Sequence, residues 1–245
     1  MDLRGKTALV TGGGTGIGKA TSLGLAKLGA NVVINYSRSE RDAIETLTEV
    51  EELGVQGMIV QADVSSDADV RNMVTAAVEK FGRLDILVNN AGTTDFVDFH
   101  DLEGLKEEHF DRAFGVNSKG IFFTTRASAE ELKKNKGCVV NVTSIAGLYA
   151  GGSSIAYCAS KAAAISITKT LAKTLAPDVR VNAVAPGIVI TRWVEGKEEH
   201  IKRLADDTPL GRCATPEDVA EVIISLVQTG FVTGQVVVVD GGKNL

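Results

Sequence analysis

Thr7-Ala-Leu-Val-Thr11-Gly-Gly-Gly-Thr-Gly-Ile-Gly18 is a short apolar run that breaks into glycine. An apolar run of this length bounded by glycine reads as a buried parallel strand. The residues after it, Lys19 to Leu28, carry a helical pattern that Gly29 closes as a cap. Strand, glycine loop and helix together form a phosphate cradle. The backbone approaches the ligand where no side chain stands in the way, and its N–H groups and the helix N-terminus aim at the negative charge. The spacing is not G-x-G-x-x-G. What fits is Thr-Gly-x-x-x-Gly-x-Gly at Thr11, Gly12, Gly16 and Gly18.

Reading outward, Asn31 to Tyr36 forms a second strand, Arg41 to Leu53 a helix, and Gly57 to Asp63 a third strand. Asp67 to Phe81 reads as a helix and Asp85 to Val88 as a fourth strand running into Asn89-Asn-Ala-Gly92. One long helical region covers about Leu105 to Asn135, with Asn117 as a polar residue between apolar turns. Cys138 to Val142, Val179 to Ala185 and Gln235 to Asp240 complete seven strands, and Thr215 caps a helix that begins at Pro216. Strands alternating with helices argue for an α/β, parallel, doubly wound sheet, whose ligands bind at the carboxyl ends of the strands. The charged, loosely amphipathic stretch around residues 190–210, with Arg192 and Trp193, suits a lid.

At the end of the second strand an acidic residue would bind the ribose 2′-hydroxyl of NAD. Here the strand ends Asn35-Tyr-Ser-Arg-Ser39, with no acid before Glu40. Arg38 and its hydroxyl neighbours suit a 2′-phosphate, which a guanidinium grips through charge and forked donors. The reading therefore favours NADP(H) over NAD(H).

The stretch from Ser144 to Lys161 holds the acid–base chemistry. Tyr157 and Lys161 are four apart, on one face of a helix, and Ser144 stands at the end of the preceding strand. A phenol with a free pKa of about 10 is a poor catalyst at neutral pH. A nearby ammonium stabilises the phenolate and lowers that value, giving a proton donor and acceptor beside a hydroxyl that can polarise a carbonyl.

The 245 residues carry a net charge of −5 with dispersed Lys and Arg, which favours neither nucleic acid nor an anionic membrane. No apolar run approaches the roughly 18 residues of a membrane span, and the amino terminus leaves no room for a signal peptide before the first strand. Cys138, Cys158 and Cys213 lack metal spacing and read as reduced, mostly buried residues of a cytoplasmic protein. His100, His109 and His200 form no metal pattern, and no G-x-S-x-G of a hydrolase exists.

These residues in order — Thr11 to Gly18, Asp63, Asn89 to Gly92, Asn117, Ser144, Tyr157-x-x-x-Lys161, Pro186-Gly187 and Thr191 — are specific as a set. The chain resembles the short-chain dehydrogenase/reductase family over essentially its whole length. The resemblance implies one Rossmann-like domain over residues 1–245, with seven mostly parallel strands and helices on both faces. Tyr157 would transfer the proton, Ser144 would bind the substrate oxygen, and Lys161 would lower the Tyr157 pKa and hold the nicotinamide ribose. Asn117 would anchor a water in a proton relay. Cofactor contacts would fall at Gly12, Gly14, Thr15, Gly16, Ile17, Gly18, Tyr36, Ser37, Arg38, Asp63, Val64, Asn90, Ala91 and Gly92. They continue at Tyr157, Lys161, Pro186, Gly187, Ile188, Val189 and Thr191, the last holding the carboxamide. A homotetramer or dimer is expected, and no metal.

Within the family the likeness is greatest to 3-oxoacyl-(acyl-carrier-protein) reductases, through Asn35 to Ser39, the Val-Asn-Ala-Val-Ala-Pro-Gly segment and the ending Thr233-Gly-Gln…Asp240-Gly-Gly. The substrate would be a small-molecule or acyl-carrier-linked carbonyl compound, and Lys133, Lys134, Lys136, Lys169 and Lys173 could dock an acidic carrier. Thr93 to Leu105 is longer and more acidic than is usual there, with Asp95, Asp98, Asp101 and Glu103. The alternatives are a sugar or xenobiotic alcohol dehydrogenase of the same family and a catalytically silent NAD(P)-binding sensor. The sensor has no need of a proton donor.

Overall fold

The computed structural model describes residues 1–191 and 204–245. Its strands are β1 (Thr7–Val10), β2 (Asn31–Tyr36), β3 (Gly57–Gln61), β4 (Ile86–Asn89), β5 (Cys138–Val142), β6 (Arg180–Pro186) and β7 (Val236–Val239). They form one sheet in the order β3-β2-β1-β4-β5-β6-β7. Every pairing is parallel, where the sequence suggested mostly parallel, and Val10 pairs with Ile34 on one side and Val88 on the other. The order reverses between β1 and β4, so the loops leaving these two strands diverge and open a crevice at their carboxyl ends.

Among the described residues the helices are α1 (Gly16–Lys27), α2 (Glu40–Glu52), α3 (Asp67–Phe81), α4 (Glu107–Phe114), α5 (Gly120–Lys134), α6 (Ala146–Tyr149), α7 (Ile155–Leu175) and α8 (Pro216–Gln228). Side-chain alternation along each strand divides the apolar residues between two faces. Ala8, Val10, Val32, Ile34, Ile86 and Val88 pack under Leu25, Ala43, Val50 and Ile223 of α1, α2 and α8. Leu9, Val33, Leu87 and Val139 point the other way, to Val70, Met73, Leu132 and Ala172 of α3, α5 and α7. Helices on both faces make the strands read as continuous apolar runs rather than alternating ones.

The sequence and the structure part at three places. β3 stops at Gln61, two residues short, because the Asp63 carboxylate turns back to accept from the Ser65 backbone N–H (2.8 Å) and hydroxyl (2.7 Å). The long helical region is two helices joined by a π-turn, Gly115–Lys119. Its walls explain the small residues that bound it: a Cβ on Gly120 would stand 2.9 Å from the Val64 side chain. Third, the lysines offered for carrier docking lie far from the cleft of their own chain. Asn135, next to them, donates to Leu84 O at the amino end of β4, and Lys133, Lys134 and Lys136 pair with Glu130, Glu131 and Asp178. Lys169 and Lys173 lie 12 and 16 residues beyond Tyr157 on α7, some 18–24 Å along its axis. Arg192, Trp193 and most of the expected lid fall outside the described residues, as does His200.

Cys138 and Cys213 are buried, Cys158 is partly so, and all three are free. Among the described residues no cluster of His, Cys, Asp or Glu could hold a metal, and no helix is long and apolar enough to cross a membrane.

Candidate active site

A cleft of about 1690 Å³ follows the carboxyl ends of the strands. It is lined by every residue expected at the cofactor or the reacting carbonyl except Gly18 and Asn117. Both exceptions stand behind its wall.

The glycine loop is held from beneath by polar side chains. Asn35, buried in β2, accepts from Gly12 N–H (3.2 Å) and donates to Tyr36 O, Val60 O and Ala62 O. Ser22 donates to Gly13 O and Thr46 to Gly14 O, both at 3.1 Å. The Thr11 hydroxyl accepts from Asn90 N–H (2.9 Å) and Ala91 N–H (3.0 Å), while the Asn90 amide returns bonds to Thr11 O and Gly12 O. These bonds lock the β1 loop to the β4 loop across the crevice. A Cβ on Gly18 would lie 2.1 Å from Gly12 O and 2.5 Å from Asn90 Nδ2, so Gly18 lets α1 rise directly beneath the loop. Gly18→Ala is expected to weaken NADPH binding at least about tenfold and to lower stability by about 1–3 kcal/mol, read by titration and thermal melting. Unchanged binding would show that the loop does not carry the cofactor.

The loop fits a dinucleotide pyrophosphate. Thr15 at the N-cap of α1 makes no side-chain capping bond, and the first turn has no acid, so the helix opens its N–H groups toward the cleft. By contrast α3, α7 and α8 are capped by Ser66, Ser154 and Thr215, the last as expected. Beyond the loop, Ser37 and Arg38 line the far end, and among the described residues Arg38 forms no ion pair. Tyr36 lines the cleft as well; its ring packs into the core, and its hydroxyl donates to Glu40 Oε1 at 2.9 Å. Desolvation, then the Glu40 bond, pushes its pKa up.

At the other end, β5 delivers Ser144 and the first two turns of α7 deliver Tyr157 and Lys161. Ser154 caps the Tyr157 N–H, which fixes the start of the helix. Gly147 in α6 permits close packing there: a Cβ would meet the Lys161 backbone carbon at 2.6 Å. The Ser144 hydroxyl acts on the Tyr157 phenol and pulls its pKa down. The Lys161 ammonium is buried, donates to Val142 O at 2.9 Å, and stands 5.8 Å from the centre of the Tyr157 ring. Burial pushes the Tyr157 pKa up to about 12, against the lowering by Ser144, and pulls Lys161 down to about 8. The ammonium is aimed at a carbonyl, and desolvation dominates both groups.

Asn117 sits on the π-turn, fully buried, and its side chain holds Thr93 by accepting from the N–H and donating to the carbonyl, each at 2.9 Å. Its second amide proton goes to Ser160 Oγ, which donates onward to Tyr157 O. The side chain is thus a clamp joining the β4 loop to α7. π-turns inside helices often mark functional sites.

The wall facing Tyr157 went unassigned in the sequence. Phe96, Val97, Asp98 and Phe99 line it from one side, Asp111 and Arg112 from α4, and Ile145 and Tyr149 from the other. The acidity of Thr93 to Leu105 was visible, but its aromatic residues have no periodicity to set them apart from ordinary loop residues. Nor do Asn35 and Ser160, whose importance lies in partners far along the chain.

A parallel sheet in this order, an open helix N-terminus under a glycine loop, and a buried Ser/Tyr/Lys cluster define a dinucleotide-binding oxidoreductase. Residues 12–244 match the family described as enoyl-(acyl carrier protein) reductase. The chain is 40% identical over 251 residues to 3-oxoacyl-(acyl-carrier-protein) reductase FabG of Thermotoga maritima, covering 99% of each chain. It is 36% identical over 248 residues to the L-rhamnose 1-dehydrogenase (NAD(P)(+)) of Sphingomonas sp., covering 98% of this chain and 96% of that one. A short-chain type dehydrogenase/reductase crystal structure from Mycobacterium marinum superposes with a TM-score of 0.92 at 32% identity, covering 99% and 97%. The chain belongs to the short-chain dehydrogenase/reductase family.

Proposed function

We propose that the protein is an NADP-preferring ketoreductase that reduces a 3-oxoacyl thioester or a related ketone to the secondary alcohol. One observation carries this reading: Ser144, Tyr157 and Lys161 line the same cleft as Arg38. When bound, the nicotinamide supplies the hydride. Ser144 holds the substrate oxygen, and Tyr157, protonated because burial raises its pKa, gives that oxygen its proton. Lys161 grips the nicotinamide ribose and replaces the proton. Asn117 keeps Thr93 and Tyr157 in register through Ser160. The reverse oxidation, expected of a sugar or alcohol dehydrogenase such as the rhamnose enzyme, would use the same residues, with Tyr157 as the base.

Arg38 and Ser37 are proposed to hold the 2′-phosphate. Arg38→Asp is expected to weaken NADPH binding by about 10- to 100-fold, the value of one or two charge-assisted bonds, and to spare NADH. Nicotinamide fluorescence titrations read both. An unchanged preference would mean that Arg38 points elsewhere. We propose a cytoplasmic enzyme, in keeping with three cysteines that form no disulfide, and a homotetramer or dimer. Turnover of acetoacetyl thioesters and simple ketones with NADPH tests the whole reading.

A further inference from the structure

We infer that Asn35 is a positioning residue for the cofactor: its buried amide sets the glycine loop for NADP(H) and NAD(H) alike, and the choice between them stays with Arg38. This deepens the dinucleotide reading of the cleft and rests on it. β1 ends at Val10, which pairs with Ile34 of β2. Asn35, the next residue of β2, therefore stands where the β1 chain leaves the sheet and turns into glycine. It carries the ladder one step further with two different groups. Its carbonyl accepts from Gly13 N–H (3.0 Å), and its side-chain Oδ1 accepts from Gly12 N–H (3.2 Å). On its other side β2 pairs with β3, and Nδ2 donates to Val60 O (3.3 Å), Ala62 O (3.0 Å) and Tyr36 O (3.2 Å). One side chain thus ties together three stretches that line the cleft. They are the glycine loop, the end of β2 that continues to Ser37 and Arg38, and the end of β3 that continues to Asp63.

The residue type follows from where these partners stand. An N–H lies on one side and carbonyls on the other, so the group between them needs an acceptor and two protons in one short planar unit. A primary amide has both. A carboxylate of the same shape only accepts, and it would turn an anion toward three carbonyl oxygens. An apolar side chain would take the acceptor away from Gly12 N–H, and at 2% exposure bulk water does not replace it. Ser22 and Thr46 fasten the loop by its carbonyls, to α1 and α2, whereas Asn35 fastens it by an N–H. With Gly12 and Gly13 drawn inward, the following residues, Gly14 to Ile17, are set facing the cleft. A loop already in place spares the ligand the cost of ordering it. The pyrophosphate that meets this loop is common to both cofactors, so an error at Asn35 weakens both by one factor.

The test titrates the full chain with NADP+ and NAD+ by calorimetry, as wild type, Asn35→Asp and Asn35→Leu. The bond from Gly13 N–H to the backbone carbonyl of residue 35 survives both substitutions, so they probe the side chain alone. Each variant is expected to weaken both cofactors at least about tenfold while the ratio of the two affinities stays within about twofold of wild type. With a ketone that is turned over, the KM for NADPH is expected to rise by more than kcat falls. A residue that served only the fold would lower the melting temperature and leave these dissociation constants in place. Binding of both cofactors within about twofold of wild type, in variants that melt cooperatively, overturns the inference; so does a loss confined to NADP+. Should neither variant fold, hydrogen exchange at Gly12 in the ligand-free wild type decides, read by NMR on glycine-labelled protein. Exchange at least about a hundredfold slower than in an unstructured chain is expected, and exchange at the unstructured rate overturns the inference. Binding without reduction of any ketone sinks the ketoreductase reading and leaves this inference to the affinities, while a wild type that binds neither cofactor sinks both.

Discussion

Replacing Tyr157 by phenylalanine is expected to lower kcat by about 10²- to 10⁴-fold, the usual worth of a positioned proton donor, with NADPH titrations unchanged. The substitution removes one hydroxyl and keeps the ring that packs at the start of α7 near Lys161. The backbone anchors of Tyr157, its N–H to Ser154 and its carbonyl from Ser160, survive as well. Loss of turnover is therefore loss of chemistry, not of shape. Turnover within a few fold of wild type would remove Tyr157 from the mechanism. The raised pKa adds a sign. With Tyr157 pushed up to about 12, the phenol stays protonated through the neutral range, so ketone reduction should be nearly flat from about pH 6 to 7 and decline only as Lys161, which restores the proton, titrates near 8. Alcohol oxidation, which needs the phenolate, should rise with pH over the same range. A reduction rate that falls steeply between about pH 6 and 7 would assign the proton to another group.

Much of this arrangement is legible in the chain, and particular residues show why. Thr7 to Gly18 announces strand, loop and helix because apolar patterning and glycine act locally. Ser144, Tyr157 and Lys161 announce themselves because helical spacing puts two of them on one face. What is not legible depends on contacts between distant segments. Asn117 looks like a tolerated polar residue in a helix; only the π-turn, and Thr93 lying 24 residues upstream, make it a clamp. That the Tyr36 hydroxyl donates to Glu40, the first residue of the next helix, is set only by the fold. Lys136 looks unpaired until the fold brings Asp178, 42 residues further on, against it. Burial is the commonest omission: the sequence reading gave Lys161 authority over the Tyr157 pKa, but desolvation acts on both and the sequence carries no measure of it.

That desolvation makes Lys161 the second large expected effect. Lys161→Met should abolish turnover and weaken NADPH binding, since it removes both the ribose contact and the charge that restores the proton. It should also raise the stability of the ligand-free protein. Lys161 falls from its ordinary 10.5 to about 8 on burial, so the folded state disfavours the ammonium. At pH 7 both folded and unfolded chains hold that proton, and the full penalty, on the order of 3 kcal/mol, stands against folding. Between about pH 8 and 10.5 the unfolded chain binds more protons than the folded one, so stability climbs with pH through that window. Tyr157 works the other way: its raised pKa makes the folded state keep a proton that the unfolded chain loses, and stability falls from about pH 10 to 12. Melting curves of the wild type should therefore show a rise above pH 8 that Lys161→Met lacks. The bond from Nζ to Val142 O offsets part of the penalty, and methionine gives up that bond while filling the same space. A variant that melts below the wild type at pH 7 would mean this bond outweighs desolvation. Lys161 would then be a structural residue that also serves the reaction, rather than one held in place at the expense of the fold.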